Sequence, residues 1–542
     1  MAFLDWIGKK EVVGYHQQVP LHTFNNRSKM ENIDVNKSLT IKGDNLLALK
    51  SLLPYYAGNI KCIYIDPPYN TGNENWVYND NVNSPEITAW LGKVVGKEAV
   101  DLSRHDKWLC MMYPRLVLAK EMLSPEGVIF ISIDDNEYCN LNYIMNEIFG
   151  HKNMLANFIW QTEGNFDNQA KVKINHEYIL VYCKDINRFP APPVIDPNIK
   201  DNSKLFKKQI RNTIVKNGPK NPISEIVIPA GFPVEFENGV IKKNNNSWPH
   251  YDRDLEVKDY KTVNEVVVSS GWSSKRIFEQ FINEGFVAGI DTKGQETRFV
   301  ITKTGAIETI KERKADQSHV VSVLREFGST QQASTYLETM DVKFNYPKPV
   351  NLIKYLIAMN YGDDYTVLDF FGGSGTTAQA VMELNQDGGK RKFILVEWDE
   401  HVFNEVSLKR ITEVAVDKKE EFLILDLGDT IYDQYGFFNK SLSDKEVNRY
   451  IYYQETGHPI SSENEEVTNG CIGTYGANRI FVFYNSKEPE KSKEFDINEM
   501  YSISQFEGRK IVYAIQCNIS ADILSNKNII FKQIPYDTGG VK

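Results

Sequence analysis

A doubly wound α/β sheet, split in the chain by an inserted domain and followed by an α+β extension, is the fold this sequence predicts. Three observations lead there. Apolar strands alternate with amphipathic helices from Ser38 to Ile148 and again from Pro349 to Asp399, the rhythm of a largely parallel sheet. Strands in both stretches end in acids or in a glycine turn, at the edge where open α/β sheets bind ligands. Between Asn187 and Thr330 the texture changes to Pro-, Asn-, Gly- and Lys-rich segments. At 542 residues, with 42% hydrophobic residues, the chain has length for two or three domains and a sizeable core.

In order, "GDNLLALKSLL" is a short amphipathic helix and "IKCIYI" a buried strand. "KWLCMMYPRLVLAKEML" has helical spacing, "EGVIFISIDD" is an apolar strand ending in acids, and "NEYCNLNYIMNEIFG" is a helix closed by Gly150. "NFIWQTE" and "HEYILVYCK" are expected as the last strands of this sheet. The insertion carries "RFPAPPVIDPNIKDNSK" and "IKKNNNSWPHYDRD", with strand-like runs at "VNEVVVSS" and "ETRFVIT". The rhythm resumes with the helix "PVNLIKYLIAMN", then strand, glycine turn and helix in "YTVLDFFGGSGTTAQAVMEL", then the strand "KFILVEWD". Beyond Ile411 the signals weaken into a polar, aromatic-rich tail, and there is no internal repeat.

No run approaches the roughly 18 apolar residues of a membrane span, and "MAFLDWIGKK" has an acid inside its apolar patch. A cytoplasmic protein with no membrane partner is expected. Cys62, Cys110, Cys139, Cys183, Cys471 and Cys517 are scattered, without metal-ligand spacing, and are expected as reduced thiols. The net charge of −10 argues against non-specific coating of nucleic acid, but residues 201–320 carry about three more basic than acidic side chains, and 401–542 about six more acidic than basic.

Two motifs carry chemistry. In "VLDFFGGSGTTAQAV", Gly372, Gly373 and Gly375 permit a tight turn and close approach of a ligand to the backbone. Glu397 ends the next strand, about 22 residues beyond Gly375, a spacing that suits an acid on the two hydroxyls of a ribose. The alternative is a structural turn; without G-K-[ST] it is no ATP-binding P-loop. In "IYIDPPYNTG", the prolines hold Asp66 and Pro67 extended where the strand ends. Asp66 and the Pro67 carbonyl then offer acceptors beside the face of Tyr69, a fit for an exocyclic amino group on a planar base. A plain strand-ending turn is the alternative.

Asp66-Pro67-Pro68-Tyr69 resembles the D-P-P-Y signature of amino-group DNA methyltransferases, and Phe371-Gly372-Gly373-Ser374-Gly375 their F-x-G-x-G signature for S-adenosylmethionine. The order, D-P-P-Y first, resembles the beta class. With "YIDPPYNTG", "GDNL", "HEYILVY" and "NYPKPVNLI", the chain is similar to modification subunits of type III restriction systems over about 38–186 and 320–410. The resemblance implies a permuted Rossmann-like methyltransferase sheet: an N-terminal extension (1–37), a catalytic half (38–186), a target-recognition, DNA-binding insertion (187–325), a cofactor half (326–415) and a C-terminal domain (416–542). It implies that Asp66, Pro67, Pro68 and Tyr69 meet the target base. Asp44, Lys348, Pro349, Asp369, Phe371, Gly373, Gly375 and Glu397 would surround S-adenosylmethionine; for Asp44 a helix-capping role stands beside the ligand role. Double-stranded DNA, a second copy of the chain and a helicase-nuclease restriction subunit are the implied partners.

Adenine N6 is a weak nucleophile because its lone pair is delocalised into the ring, and acceptors on its hydrogens would polarise it as the methyl group arrives. The base must be flipped from the duplex to be reached. In the insertion, Lys204, Lys207, Lys208, Arg211, Lys216 and Lys220 suit phosphates, and Asn244, Asn245 and Asn246 near Trp248 suit bases; a solvated face and an Asn-rich turn are the alternatives. Asp134 and Asp135 are expected to cap a helix and not to hold a metal, and His105 and His176 to be structural. The rival functions are a catalytically silent DNA-specificity subunit and methylation of cytosine N4, RNA or protein.

Overall fold

Ten strands form one sheet in a computed structural model that describes residues 4–27, 33–72, 85–95, 102–162, 171–199, 209–292, 294–312, 318–460 and 470–535. In chain order they are β1 (His22–Asn26), β2 (Ser38–Lys42), β3 (Ile60–Ile65), β4 (Leu123–Ile133), β5 (Met154–Gln161), β6 (His176–Cys183), β7 (Val323–Leu324), β8 (Thr366–Asp369), β9 (Lys392–Glu397) and β10 (Phe422–Thr430). Across the sheet they run β1-β10-β2-β9-β8-β3-β4-β6-β5-β7. From β10 to β4 every pairing is parallel; β1 at one edge and β6 run antiparallel to their neighbours.

Central parallel strands are covered on both faces, which is why "IKCIYI" is apolar without alternation. Ile63 and Ile65 join one core cluster, with Leu49 and Leu52 and with Leu109 and Leu116. Cys62 and Tyr64 join the other, with Leu352, Ile353, Ala378 and Val381. The covering helices start where the sequence supplies caps. Asp44 accepts the N–H groups of Leu46 and Leu47 at the head of α1 (Asn45–Tyr56), and Ser103 and Asp106 form a capping box on α2 (Arg104–Met122). A helix at Tyr138–Met145 (α3) follows β4, while α4 (Val350–Ala358) begins directly after Pro349 and α5 (Thr376–Leu384) after Gly375, at φ +78°.

Strands β3 and β8 lie side by side although about 300 residues separate them. Val367 pairs with Cys62 and Leu368 with Ile63, so the same count of residues brings Asp66 and Phe371 to one edge. The chain divides into two units, 1–194 with 320–542, and 195–319. The second has its own core around Phe232, Phe278, Phe281 and Phe299, built, among the described residues, on antiparallel strands and the helix Lys275–Asn283.

The sheet reaches past the span in which the sequence shows a clear rhythm. His22–Asn26 pairs with Phe422–Thr430, and the tail holds a further four-stranded sheet (Cys471–Tyr475, Asn478–Phe483, Arg509–Ala514, Ile529–Gln533) beside the helix Asp444–Thr456. These strands are short and interleaved with polar residues, which weakens any periodic signal. Among the described residues no helix is long and apolar enough to cross a membrane.

Trp108, fully buried in α2, donates its indole N–H to the Pro68 carbonyl at 2.7 Å, fixing the corner after β3 from below. Trp108→Phe leaves that carbonyl unpaired and should lower unfolding stability by about 1–3 kcal/mol in denaturant titrations of the full chain. An unchanged midpoint would remove the bond from the account.

Candidate active site

The acidic corner is held from several sides. Asn70 is buried and adopts φ +57°, a backbone conformation that asparagine tolerates better than most residues. Its side-chain amide donates to Glu137 Oε1 at 2.5 Å and to the Arg104 carbonyl at 3.2 Å. Glu137, fully buried, also accepts from Asn140 at 2.7 Å, and His105 Nδ1 lies 2.7 Å from it. His105 is thus part of the scaffold under the corner, and His176 contacts the Tyr178 hydroxyl. Asp134 accepts from the backbone and side chain of Asn136, and its carbonyl takes the Tyr138 N–H at the start of α3. Among the described residues no group of three potential ligands is placed to hold a metal.

At the corner itself four side chains converge. Lys348 Nζ donates to both Asp66 oxygens, at 2.9 and 2.8 Å, and lies 3.3 Å from Glu177 Oε2. The Tyr69 hydroxyl contacts Asp66 Oδ1 and Glu177 Oε2, each at 2.9 Å, and the Lys348 ammonium lies 5.0 Å from the Tyr69 ring centroid. Burial works against the charge on Lys348, but the two carboxylates outweigh it and its pKa is raised. Burial, reinforced by Asp66 and Glu177, pushes the Tyr69 phenol well above its ordinary value, so it stays protonated.

Beside it lies the glycine turn. Asp369, 3% exposed at the end of β8, accepts from the Phe371 N–H at 3.0 Å and the Thr377 hydroxyl at 2.5 Å. A side chain on Gly372 would meet Leu395 at 2.5 Å, so the turn packs directly on β9. Gly373 takes φ +49°; its N–H donates to Glu397 Oε2 at 2.8 Å and its carbonyl accepts from Ser407. Glu397 Oε1 in turn accepts the Asp399 N–H at 2.9 Å. Beneath the turn the fully buried guanidinium of Arg410 donates to the Ser374 carbonyl and hydroxyl, the Thr376 hydroxyl and Gln379 Oε1, at 2.8 to 3.1 Å. Burial lowers its pKa to about 10.

Corner and turn open onto one cleft of about 620 Å³. Asp66, Pro67, Tyr69, Lys348, Asp369, Phe371 and Gly373 line it; Pro68, Gly375, Pro349 and Glu397 are direct neighbours or partners of those that do, and Asp44 lies outside the lining as a helix cap 3.5 Å from Arg115. A cleft of this size with a positive-φ glycine, the half-buried ring of Phe371 and the hydroxyls of Ser374, Thr376 and Thr377 fits an adenosine-bearing molecule. Glu177 and Arg410 were not singled out from the sequence. Glu177 is the second residue of the strand "HEYILVY", and Arg410 looks like any solvated arginine in a charged helix.

The unit of residues 195–319 presents Lys216 and Lys220 to solvent. Arg211 is instead engaged by Glu235 and Glu308, at 2.9 and 3.0 Å, because the strands carrying it and Glu308 pair in register. Lys204, Lys207 and Lys208 lie outside the described residues. Asn244 closes its own turn, accepting from the Asn246 and Ser247 N–H groups, and Trp248 stacks on His250 with centroids 3.8 Å apart.

Residues 60–408 match the model of the DNA methylase family. The chain is 33% identical over 453 residues to the type III restriction-modification enzyme EcoPI Mod subunit of Escherichia phage P1, covering 76% of this chain and 68% of that one. It is 33% identical to the StyLTI Mod subunit of Salmonella typhimurium (70% and 57% covered) and 29% identical to the type II methyltransferase M.KpnI of Klebsiella pneumoniae (71% and 88% covered). The chain thus spans between 57% and 68% of the length of the two Mod subunits.

Burial raises the Asp369 carboxyl to about 7 against the bonds from Thr377 and Phe371, with Asp66 and Glu397 adding to the rise. The folded protein therefore holds this proton up to about pH 7, whereas the unfolded chain releases it near the ordinary value of 3.8. Stability falls as pH rises through that window and stays at the lower level above it. Asp369→Asn abolishes the titration, so its thermal midpoint relative to wild type should climb between pH 5 and pH 8; a flat difference would contradict the raised value.

Proposed function

Because the chain belongs to the DNA methylase family, we propose that it methylates the N6 amino group of adenine at specific sites in double-stranded DNA, as the modification subunit of a type III-like restriction system. The observation that carries this reading is the shared cleft, in which the Asp66 carboxylate and the glycine turn meet. When bound, S-adenosylmethionine supplies a methyl group already activated by its sulfonium. Asp369, Phe371, Gly373 and the hydroxyls of Ser374 and Thr376 would hold it, with Arg410 keeping the turn in shape from below.

Asp66 and the Pro67 carbonyl accept the two amino hydrogens, drawing the nitrogen toward a tetrahedral, electron-rich form. The work left to the protein is alignment of nitrogen and methyl group, so no nucleophile is required. Tyr69, its hydroxyl anchored on Asp66 and Glu177, offers its ring to a base turned out of the duplex. In the unit of residues 195–319, Lys216 and Lys220 meet phosphates. A homodimer, a helicase-endonuclease partner and a cytoplasmic location belong to the same reading, by likeness to the Mod subunits.

Digestion of DNA from cells expressing the chain should yield N6-methyladenine by mass spectrometry. Methyl groups on cytosine N4, RNA or protein instead, or specific DNA binding without transfer, would replace this reading. Asp66→Ala should reduce transfer by about 100-fold or more, with affinity for S-adenosylmethionine within about twofold of wild type; a large loss of cofactor affinity would place Asp66 on the wrong ligand. Changing Lys216 and Lys220 to Gln should reduce the slope of log affinity for DNA against log salt by about 1 to 2. An unaltered slope would take both off the interface.

A further inference from the structure

We propose that Glu177 is a positioning residue of the target-base site: it receives the Lys348 ammonium when an exocyclic amino group displaces that ammonium from Asp66. The inference rests on the reading of Asp66 as the group that meets the base. In the structure both Asp66 oxygens accept from Lys348, and Oδ1 contacts the Tyr69 hydroxyl as well. An incoming N–H therefore finds its acceptor engaged. For Asp66 to receive it, Lys348 must turn away, yet its side chain is only 7% exposed and faces the cleft that the base would fill. Stranding a buried ammonium is costly. Glu177 Oε2, 3.3 Å from the same nitrogen, removes that cost, since a small rotation exchanges one carboxylate for the other.

Charge supports the same assignment. Two carboxylates and one ammonium leave the base site with one net negative charge. As the N6 lone pair forms its bond to the methyl carbon, the carbon–sulfur bond breaks with its pair going to sulfur. The nitrogen then carries the positive charge until one of its two hydrogens leaves as a proton to solvent water. A net negative, largely buried site favours that developing cation, whereas a neutral one would not. Tyr69 adds a geometric link: its hydroxyl spans Asp66 and Glu177 at 2.9 Å each, so the ring offered to the base is oriented by both acids.

Glu177→Gln keeps the shape and an acceptor for the Tyr69 hydroxyl but removes the charge. Steady-state transfer to DNA of an established acceptor sequence is expected to show kcat reduced by about tenfold or more, with the KM for S-adenosylmethionine within about twofold and the thermal midpoint close to wild type. Glu177→Asp, which keeps the charge, should retain several-fold more activity than Glu177→Gln. Adding Lys348→Met to Glu177→Gln restores the net charge and frees Asp66, so the double variant should recover part of the lost kcat. The inference is overturned if Glu177→Gln turns over within twofold of wild type, or if Glu177→Asp is no better than Glu177→Gln. Equally, a well-folded double variant no faster than Glu177→Gln would overturn it. Failure of the functional reading looks different: wild type would transfer no methyl group to DNA. A methyl group found on cytosine N4 would end the adenine assignment and leave the role of Glu177 standing, since that base presents the same kind of amino group.

Discussion

The parallel pairing of β3 with β8 is the constraint on which the site depends. Two motifs about 300 residues apart become neighbours because Leu368 faces Ile63 in register. A slip of one residue would turn the alternating side chains to opposite faces, sending Ile63 and Ile65 into the wrong core. That register is set by burial on both sides of the sheet, with one cluster taking Ile63 and Ile65 and the other Cys62 and Tyr64. The apolar interior therefore decides where Asp66 stands relative to the glycine turn, and no polar contact has to find it.

Polar contacts then decide how each motif is shaped. The corner after β3 is fixed by backbone means, two prolines and a left-handed Asn70, by the bond that Trp108 donates to it and by the one that Asn70 donates to Glu137. The turn after β8 is held at both Gly373 backbone groups, by Glu397 and Ser407, and from below by Arg410. A buried guanidinium whose acceptors are one carbonyl, two hydroxyls and an amide is expensive to keep charged, in line with its lowered pKa. Its bonds cluster on the turn, so the cost is borne where the backbone geometry has to be kept.

What could be read in the sequence follows the same division. Asp66 and the glycines were readable because proline and glycine act on the backbone locally, and their effect needs no partner to be known. For Asp44 the sequence leaves a cap and a ligand role open, and the cap is formed. Glu397 is expected on a ribose; in the fold its two oxygens accept the N–H groups of Gly373 and Asp399, and each oxygen has a further lone pair. Lys348 is expected beside the cofactor; it lines the cleft with the glycine turn, and its ammonium reaches Asp66 and Glu177. Glu177 was invisible because its partners lie 108 and more residues away, and no local pattern encodes a long-range pair. For Arg211 the sequence showed a basic stretch, but Glu308, diagonal to it on the paired strand, and Glu235 decide its availability.

The position of the insertion follows from the same topology. The chain leaves the large sheet after β6 and returns at β7, strands separated only by β5 at one edge of the sheet. At the two ends of the second unit, Ile195 and His319 bridge each other. Its core of Phe232, Phe278, Phe281 and Phe299 is its own, and the β3/β8 register does not pass through it. A unit attached in this way can change its surface without altering the distance from Asp66 to the glycine turn, because the residues that set that distance belong to the other core. On the proposed reading, chemistry and target choice are then separable in the physical sense: one is held by strand register in a two-sided core, the other by side chains on a unit with a core of its own.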